Sequence, residues 1–573
     1  MPTFSQILTE RLTVALNSLD IDLPDGFQAS VTPATDDRFG HYQANAAMAL
    51  GKHLKENPRQ LAGRLISALN TGDLCEEPQI AGPGFINFTL TPQTIAGRCS
   101  ELFSDPHLGV PQAGEPRRIV VDFSAPNVAK PMHVGHLRST IIGDSLARVA
   151  RAVGHHVITD NHIGDWGTQF GMIIHGWKTL LDQAALKADP IAELVRVYRT
   201  VNAQTKEDSS VLETCKAELV ALQSGDTDNL TIWQQCMDLS LKKLQEIYGW
   251  LDICFDHYLG ESAYNEHLAP LVESLLTDGT AEISKGAVCV FFPDTPALKD
   301  KPCLIRKQDG GFLYATTDLA TIDHRINEWE ADEIWYVVGA PQALHFQQVF
   351  GVSERRGQKT KLVHVAHGSI LGDDGKLMRT RAGKSVDLLD VLQEAVERSR
   401  KVIEEKNPSL SEDEKGAISK IVGLGAAKYF ELSQHRMTDY MFKWDKMLAL
   451  TGNTAPYLQN SYVRVRAIFR KTGTDGAQLP EQPTLSEAQE IALALKITQF
   501  GEIVPEILND YRPNILAAYL FELAKVFHSF YEACPVLREE GTVRENRLLL
   551  CDLTGRVLER GLSLLGIQVP EKM

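Results

Sequence analysis

His133 and His136 flank a glycine in the tetrapeptide HVGH, at the point where a loop following a strand-like run turns into a helical pattern. At such a junction unpaired backbone N–H groups and the helix dipole already favour an anion. Two imidazoles add donors at the height of a phosphate, and Gly135, lacking a side chain, leaves room for a nucleotide ring to approach the backbone. The pattern points to nucleotide chemistry. The plain alternative is a pair of helix-capping or core histidines. A metal pair is disfavoured because no third or fourth ligand stands at suitable spacing nearby.

A second stretch, GDDGKLMRTRAGKSV, crowds Lys376, Arg379, Arg381 and Lys384 beside glycines. A loop of this kind suits the neutralisation of phosphate charge, against the plain reading of a solvated basic surface loop. Its AGKS imitates the end of a Walker loop, but the required first glycine would fall at Met378, so the P-loop reading fails. GLGAAK (423–428) has two glycines of a dinucleotide fingerprint without the third, in a helical context, and reads as helix packing. QNSYVRVRAIFRK (459–471) carries Arg464, Arg466, Arg470 and Lys471 with Tyr462 and Phe469 interleaved and no acid, which suits a phosphate-and-stacking surface for RNA loops or, equally, an amphipathic helix with a wet basic face.

These groups need elements to hold them. IVVDF (119–123) is an apolar run of strand length, and Leu137, Ile142, Leu146, Val149 and Val153 follow at helical steps, giving a strand, loop and helix unit. Upstream, FSDPHLGVPQAGEPRR marks a boundary, so residues 1–112 form a first domain. Helical spacing over about 178–275 looks inserted. Strand-like AVCVFF, PCLIRK, IWYVV and KLVHVAH then restore the alternation of a parallel α/β sheet, placing the central domain at 113–400. From about residue 387 nearly everything reads as helix, divided into a connecting region at 401–455 and a terminal domain at 456–573.

Composition limits the alternatives. The 573 residues carry a formal net charge of −16, so the average surface repels phosphate and any nucleic-acid contact must be local. Nine cysteines, an odd set with no close pair, argue against a disulfide framework and against a CxxC knuckle. No apolar run is long enough to span a membrane, and the start lacks a signal peptide's basic head and apolar run, which points to the cytoplasm.

The run DFSAPNVAKPMHVGHLRSTIIGDSLARVARAVG resembles the signature of class I aminoacyl-tRNA synthetases, specifically the arginyl-tRNA synthetase family. The resemblance continues through GDWGTQFG (164–171), YATTDLA (314–320), YVVGAPQALHFQQVF (336–350), HGSILGDDGKLMRTRAGKSVDLLDVL (367–392) and the ending VLERGLSLLGIQVPEKM, with FGHYQANAAMALGKHL and IAGPGFINF in the N-terminal domain. It implies an α/β fold: a Rossmann-like parallel-sheet catalytic domain, an additional α+β tRNA-binding domain at the N-terminus and an all-α anticodon-binding domain at the C-terminus.

The resemblance also implies the chemistry, in which arginine reacts with ATP, supplied as its Mg²⁺ complex, to give arginyl-adenylate, and the terminal adenosine of tRNA-Arg takes the arginyl group. Asp122 and Asp318 would face the substrate's charged groups, Asn127 and Gln342 its polar ends, with Tyr314 and Trp166 as walls. His133, Gly135, His136, Gly339, His345 and Met378 would hold ATP. The loop at 376–384 has Leu377 where the family's first signature lysine stands, and Lys130 would compensate. Tyr462, Arg464, Arg466 and Arg470 would meet tRNA. No resident metal, no tightly bound cofactor, no DNA and no membrane are expected, and the chain is expected to be a monomer. Pyrophosphate exchange would require tRNA. The rivals are a small-molecule adenylyltransferase or ligase using HxGH and a noncatalytic tRNA-binding paralogue.

Overall fold

The computed structural model describes the chain apart from residues 20, 373–385, 442, 475, 479, 481 and 482. Lys376, Met378, Arg379, Arg381 and Lys384 therefore lie outside the described residues. At the N-terminus β1 (Val31–Pro33), β2 (Tyr42–Ala44), β3 (Gln79–Ala81) and β4 (Phe85–Phe88) form an antiparallel sheet in the order β1-β2-β4-β3, accompanied by the helices Phe4–Ser18, Ala46–Leu54, Pro58–Ala68 and Pro92–Ser104. This domain leans on the C-terminal helices: the Tyr42 hydroxyl donates to Glu502 at 3.0 Å and Arg556 donates to the Phe103 carbonyl at 2.8 Å.

The central layer begins with β5 (Arg118–Asp122) and β6 (His156–Asp160). Four of the five residues of β5 are buried, as expected of a central strand covered on both faces. Next in chain order come β7 (Glu282–Ser284), β8 (Ala287–Val290) and β9 (Cys303–Arg306), then β10 (Glu333–Tyr336) and β11 (Lys361–His364). The parallel sheet has the order β11-β10-β5-β6. The chain runs from β5 through the helix Val134–Ala152 to β6 on one side, then returns to β10 on the other. The gap between the carboxyl ends of β5 and β10 is therefore a topological switch point, the place where open α/β sheets bind ligands.

Two of the four strand-like runs expected in this sheet lie elsewhere. AVCVFF and PCLIRK supply β8 and β9 of a separate antiparallel sheet, β7-β8-β9. The reason is local. Lys285 and Gly286 both have positive φ (50° and 81°), which makes a two-residue hairpin between β7 and β8, and parallel pairing would need a crossover of about a dozen residues.

Between β6 and β7 run several helices, of which the longest is Thr227–Leu251. After β12 (Ile370–Leu371), the helices Leu388–Lys406 and Glu412–Leu432 pack side by side, and β13 (Tyr440–Met441) returns to pair with β12 in parallel. Gly423 permits that helix contact, because a Cβ there would lie 2.7 Å from the Ala395 carbonyl oxygen. GLGAAK is thus a packing feature. The C-terminal domain is helical, from Ala455–Thr472, capped by Thr454 and closed by Gly473 at φ 72°, to Gly541–Leu564. All nine cysteines are unpaired, and only Cys254 is exposed.

Candidate active site

His133 is the N-cap of the helix Val134–Ala152, and the cap is reciprocal. Its Nδ1 accepts from the Gly135 N–H at 3.1 Å, and its own backbone N–H donates to Nδ1 of His136 at 3.1 Å. An imidazole whose Nδ1 accepts carries its proton on Nε2 when neutral. Burial lowers the pKa of His133 and pushes that of His136 down to about 3, so both rings are neutral at physiological pH. The rings lie together, centroids 3.9 Å apart. Capping and phosphate binding are thus compatible roles, one for each nitrogen. The close approach that Gly135 permits is that of the His133 ring, since a Cβ at 135 would stand 2.9 Å from it.

The loop between β5 and this helix is fastened to the loop after β6: Val128 donates to the Gly164 carbonyl at 3.0 Å and Gly164 donates to that of Pro126 at 3.1 Å. Asn127 is exposed on this loop, pressed against Gly164, where any Cβ would meet its Oδ1 at 2.5 Å. Lys130 is exposed as well, its Nζ 5.4 Å from the centre of the Tyr198 ring.

Asp122, expected to face the substrate, does not. It is 4% exposed at the end of β5 and accepts from Nη2 of Arg325 at 2.7 Å, as does Asp160 at the end of β6, also at 2.7 Å. Two buried carboxylates side by side require a cation between them, and the fully buried Arg325 supplies it. The triad fastens the helix Tyr314–Asn327 to the sheet.

That helix carries Tyr314 and Asp318 one turn apart on one face. Tyr314 is 71% exposed at the helix start, while Asp318 is half-buried and its Oδ2 lies 2.5 Å from Nε2 of His345. Burial pulls the His345 pKa down, but the hydrogen bond and charge of Asp318 outweigh it, and the net shift is upward. His345 follows Gly339 and Gln342 in the segment after β10, and Gly339 pairs with His367 beyond β11.

Trp166 packs edge-on against Trp233, centroids 6.0 Å apart, with its Nε1 buried and making no hydrogen bond among the described residues. Beside it stands an acid that sequence reasoning missed, Glu261. Burial pushes its pKa up to about 7, with further upward pushes from the charges of Asp165 and Asp318. Asp165, the acid of GDWG, builds the turn that presents it, accepting from the Ser262 N–H at 2.9 Å and from the Ser262 hydroxyl at 2.5 Å. The available signal was an acid directly after a glycine where the chain returns from its inserted helices.

In the C-terminal domain Tyr462 is 5% exposed and cannot stack on a base, so its expected role is withdrawn. It belongs to the apolar face of Ala455–Thr472, together with Phe469. Arg466 and Arg470 reach Glu571, at 3.3 Å and, through its carbonyl, 2.8 Å. Arg464 lies over Tyr531, 5.2 Å from the ring centre, and Tyr531 is the aromatic of this surface that remains exposed.

Comparison with known proteins decides the family. The family model "tRNA synthetases class I (R), catalytic domain" matches residues 99–444, "Arginyl tRNA synthetase N terminal domain" matches 6–90 and "DALR anticodon binding domain" matches 458–573. The chain belongs to the class I arginyl-tRNA synthetase family. The arginine–tRNA ligase of Synechococcus elongatus is 46% identical over 555 residues, covering 95% of each chain. Among solved structures, the arginyl-tRNA synthetases of Plasmodium falciparum and Thermus thermophilus superpose over 100% of both chains with a TM-score of 0.85, at 29% and 25% identity. As a member of the arginyl-tRNA synthetase family, this enzyme activates arginine and transfers it to tRNA-Arg, which removes the adenylyltransferase and noncatalytic readings. Among the described residues no helix is long and apolar enough to cross a membrane.

Proposed function

We propose that arginyl-adenylate forms over the switch point between β5 and β10, with ATP entering as its magnesium complex. The 2′-OH of the terminal adenosine of tRNA-Arg then takes the arginyl group. The single observation that carries this reading is a pair of acids, Asp318 and Glu261, close enough for the charge of one to raise the pKa of the other; the two neutral imidazoles of HVGH, ring centroids 3.9 Å apart at the helix start after β5, supply donors for phosphate. A guanidinium is a planar fork of donors that wants carboxylates, and a triphosphate wants N–H donors. In this reading Asp318 and Glu261 take the guanidinium, Asn127 and Gln342 the polar end of arginine, and Tyr314 and Trp166 the flanks. Nε2 of His133 and of His136, with Lys130, take phosphate. Gly135, Gly339, His345 and Met378 border the nucleotide, and Lys376, Arg379, Arg381 and Lys384 neutralise the leaving pyrophosphate. Arg464, Arg466 and Arg470 meet tRNA. The enzyme works as a monomer. Charging total tRNA with each amino acid in turn tests the assignment: only arginine is expected to be esterified, and equal charging by lysine contradicts the two-acid pocket.

Glu261 gives arginine binding a pH dependence. In the empty site its carboxyl is neutral below about pH 7. A bound guanidinium favours the carboxylate, so binding below that pH expels a proton, and affinity rises with pH until it levels off above it. The arginine KM is expected to fall several-fold between about pH 6 and about pH 8. His345 acts in the same direction, because its protonated ring competes with arginine for Asp318. Arginine KM measured across this range for the wild type and for Glu261→Gln separates the two: the variant keeps only a residual slope, and an unchanged slope removes Glu261 from the pocket.

A further inference from the structure

We propose that Tyr248 and Ser240, on the long helix Thr227–Leu251 between β6 and β7, are positioning residues for the loop that carries Asn127 and Lys130. The helical insertion thereby sets the geometry of arginine activation. The proposal rests on the site reading given above.

The loop from β5 to the HVGH helix contains three non-glycine residues with positive φ: Ser124 at 74°, Ala125 at 44° and Ala129 at 57°. Each such conformation costs about 1–3 kcal/mol and persists only where the surroundings hold it. Here every one of these N–H groups donates to a side-chain oxygen, and that of Ala125 also to the Phe123 carbonyl at 3.1 Å. Ser124 donates to Ser139 Oγ at 2.9 Å, Ala125 to Asn161 Oδ1 at 3.1 Å and Ala129 to Ser240 Oγ at 3.2 Å.

Two of these supports trace back to one helix. Ser240 donates its own proton to the Cys236 carbonyl at 2.7 Å, which leaves its oxygen free to accept from Ala129. The Tyr248 hydroxyl accepts from Nδ2 of Asn161 at 2.8 Å and lies 2.8 Å from Ser124 Oγ, which in turn lies 2.9 Å from Thr140 Oγ1. Tyr248 thus fixes the amide that holds Ala125 and the hydroxyl of Ser124 itself. Its ring is held independently, with Phe255 at 5.0 Å and Tyr258 at 6.4 Å between centroids. Removing the hydroxyl deletes the two hydrogen bonds and leaves the packing.

Both residues are buried, 1% and 3% exposed, and their hydroxyls bond the loop and its support, so both act through the loop. Asn127 would shift relative to arginine, and Lys130 relative to the charge that develops on phosphate during attack. Nε2 of His133 and of His136 would stay, because the helix holds those rings by its own cap. Tyr248→Phe is therefore expected to raise the arginine KM several-fold and to lower the kcat of activation by about tenfold or more, while the ATP KM stays within about twofold. The unfolding midpoint should move by no more than a few degrees. Ser240→Ala should do the same in smaller measure. It carries the test if Tyr248→Phe does not fold.

Steady-state activation kinetics of both variants and of His133→Ala, with thermal unfolding of each, decide the matter. Near-wild-type constants for both variants beside a disabled His133→Ala overturn the positioning role and leave the site reading intact. Equal rises in both KM values together with a large fall in unfolding midpoint also overturn it, since that is the signature of general loosening. A His133→Ala enzyme at wild-type speed removes the site reading itself.

Discussion

Asp318→Ala is expected to lower kcat/KM for arginine by about a thousandfold while leaving the ATP KM within about twofold. The magnitude follows from removing one partner of a charge pair sheltered from water, which costs about 3–5 kcal/mol because the other charge is left unanswered. Asp318 is half-buried and Glu261 stands nearby, so the site keeps one carboxyl, but burial and the charge of Asp165 still oppose its ionisation. Asp318→Asn separates charge from shape: it keeps a hydrogen-bonding oxygen beside His345 and loses the negative charge, and its loss should approach that of the alanine variant. Arginine and ATP saturation curves for both variants provide the check. Equal losses for the two substrates would mean that Asp318 holds the local fold.

His133→Ala is expected to lower kcat for adenylate formation by about a hundred- to a thousandfold, the usual cost of deleting one preorganised donor to developing charge. It also removes an N-cap, at a stability cost of about 1 kcal/mol. The two effects come from different nitrogens, Nδ1 for the cap and Nε2 for phosphate. His133→Asn tells them apart. Asparagine is among the best N-caps but does not reach phosphate, so this variant should regain stability and stay slow. Pyrophosphate exchange and thermal unfolding measured on the same preparations test this, and an asparagine variant at wild-type speed would reduce His133 to a cap. Because His136 is neutral far below physiological pH, no imidazole titration of this ring should appear in the rate between about pH 6 and about pH 8.

Part of this was legible in the sequence, and the division has physical reasons. IVVDF announced a central strand because a run buried on both faces must be apolar throughout, and the helix start at HVGH was legible because Leu137, Ile142, Leu146 and Val149 recur at helical steps directly after it. AVCVFF and PCLIRK were misassigned because a short apolar run looks the same in either kind of sheet, and the two-residue turn at Lys285 and Gly286 was the deciding signal. Asp122 sits at the position expected of a substrate acid, but its partner Arg325 lies 203 residues away, a separation no local pattern reveals. Tyr462 read as exposed because composition does not say which face of a helix is covered, and its neighbours at helical spacing turned out to be core. Tyr248 was invisible for the same reason as Arg325: its partners, Ser124 and Asn161, lie far away in the chain.

The most direct test of the two-ligand site is a crystal structure of the enzyme with a non-hydrolysable arginyl-adenylate analogue. The expected complex has the guanidinium bonded to the carboxylates of Asp318 and Glu261 and the phosphate mimic bonded to Nε2 of His133 and of His136, with the ligand lying across the ends of β5 and β10. A guanidinium bound away from Asp318, or a phosphate mimic out of reach of both imidazoles, would contradict the account.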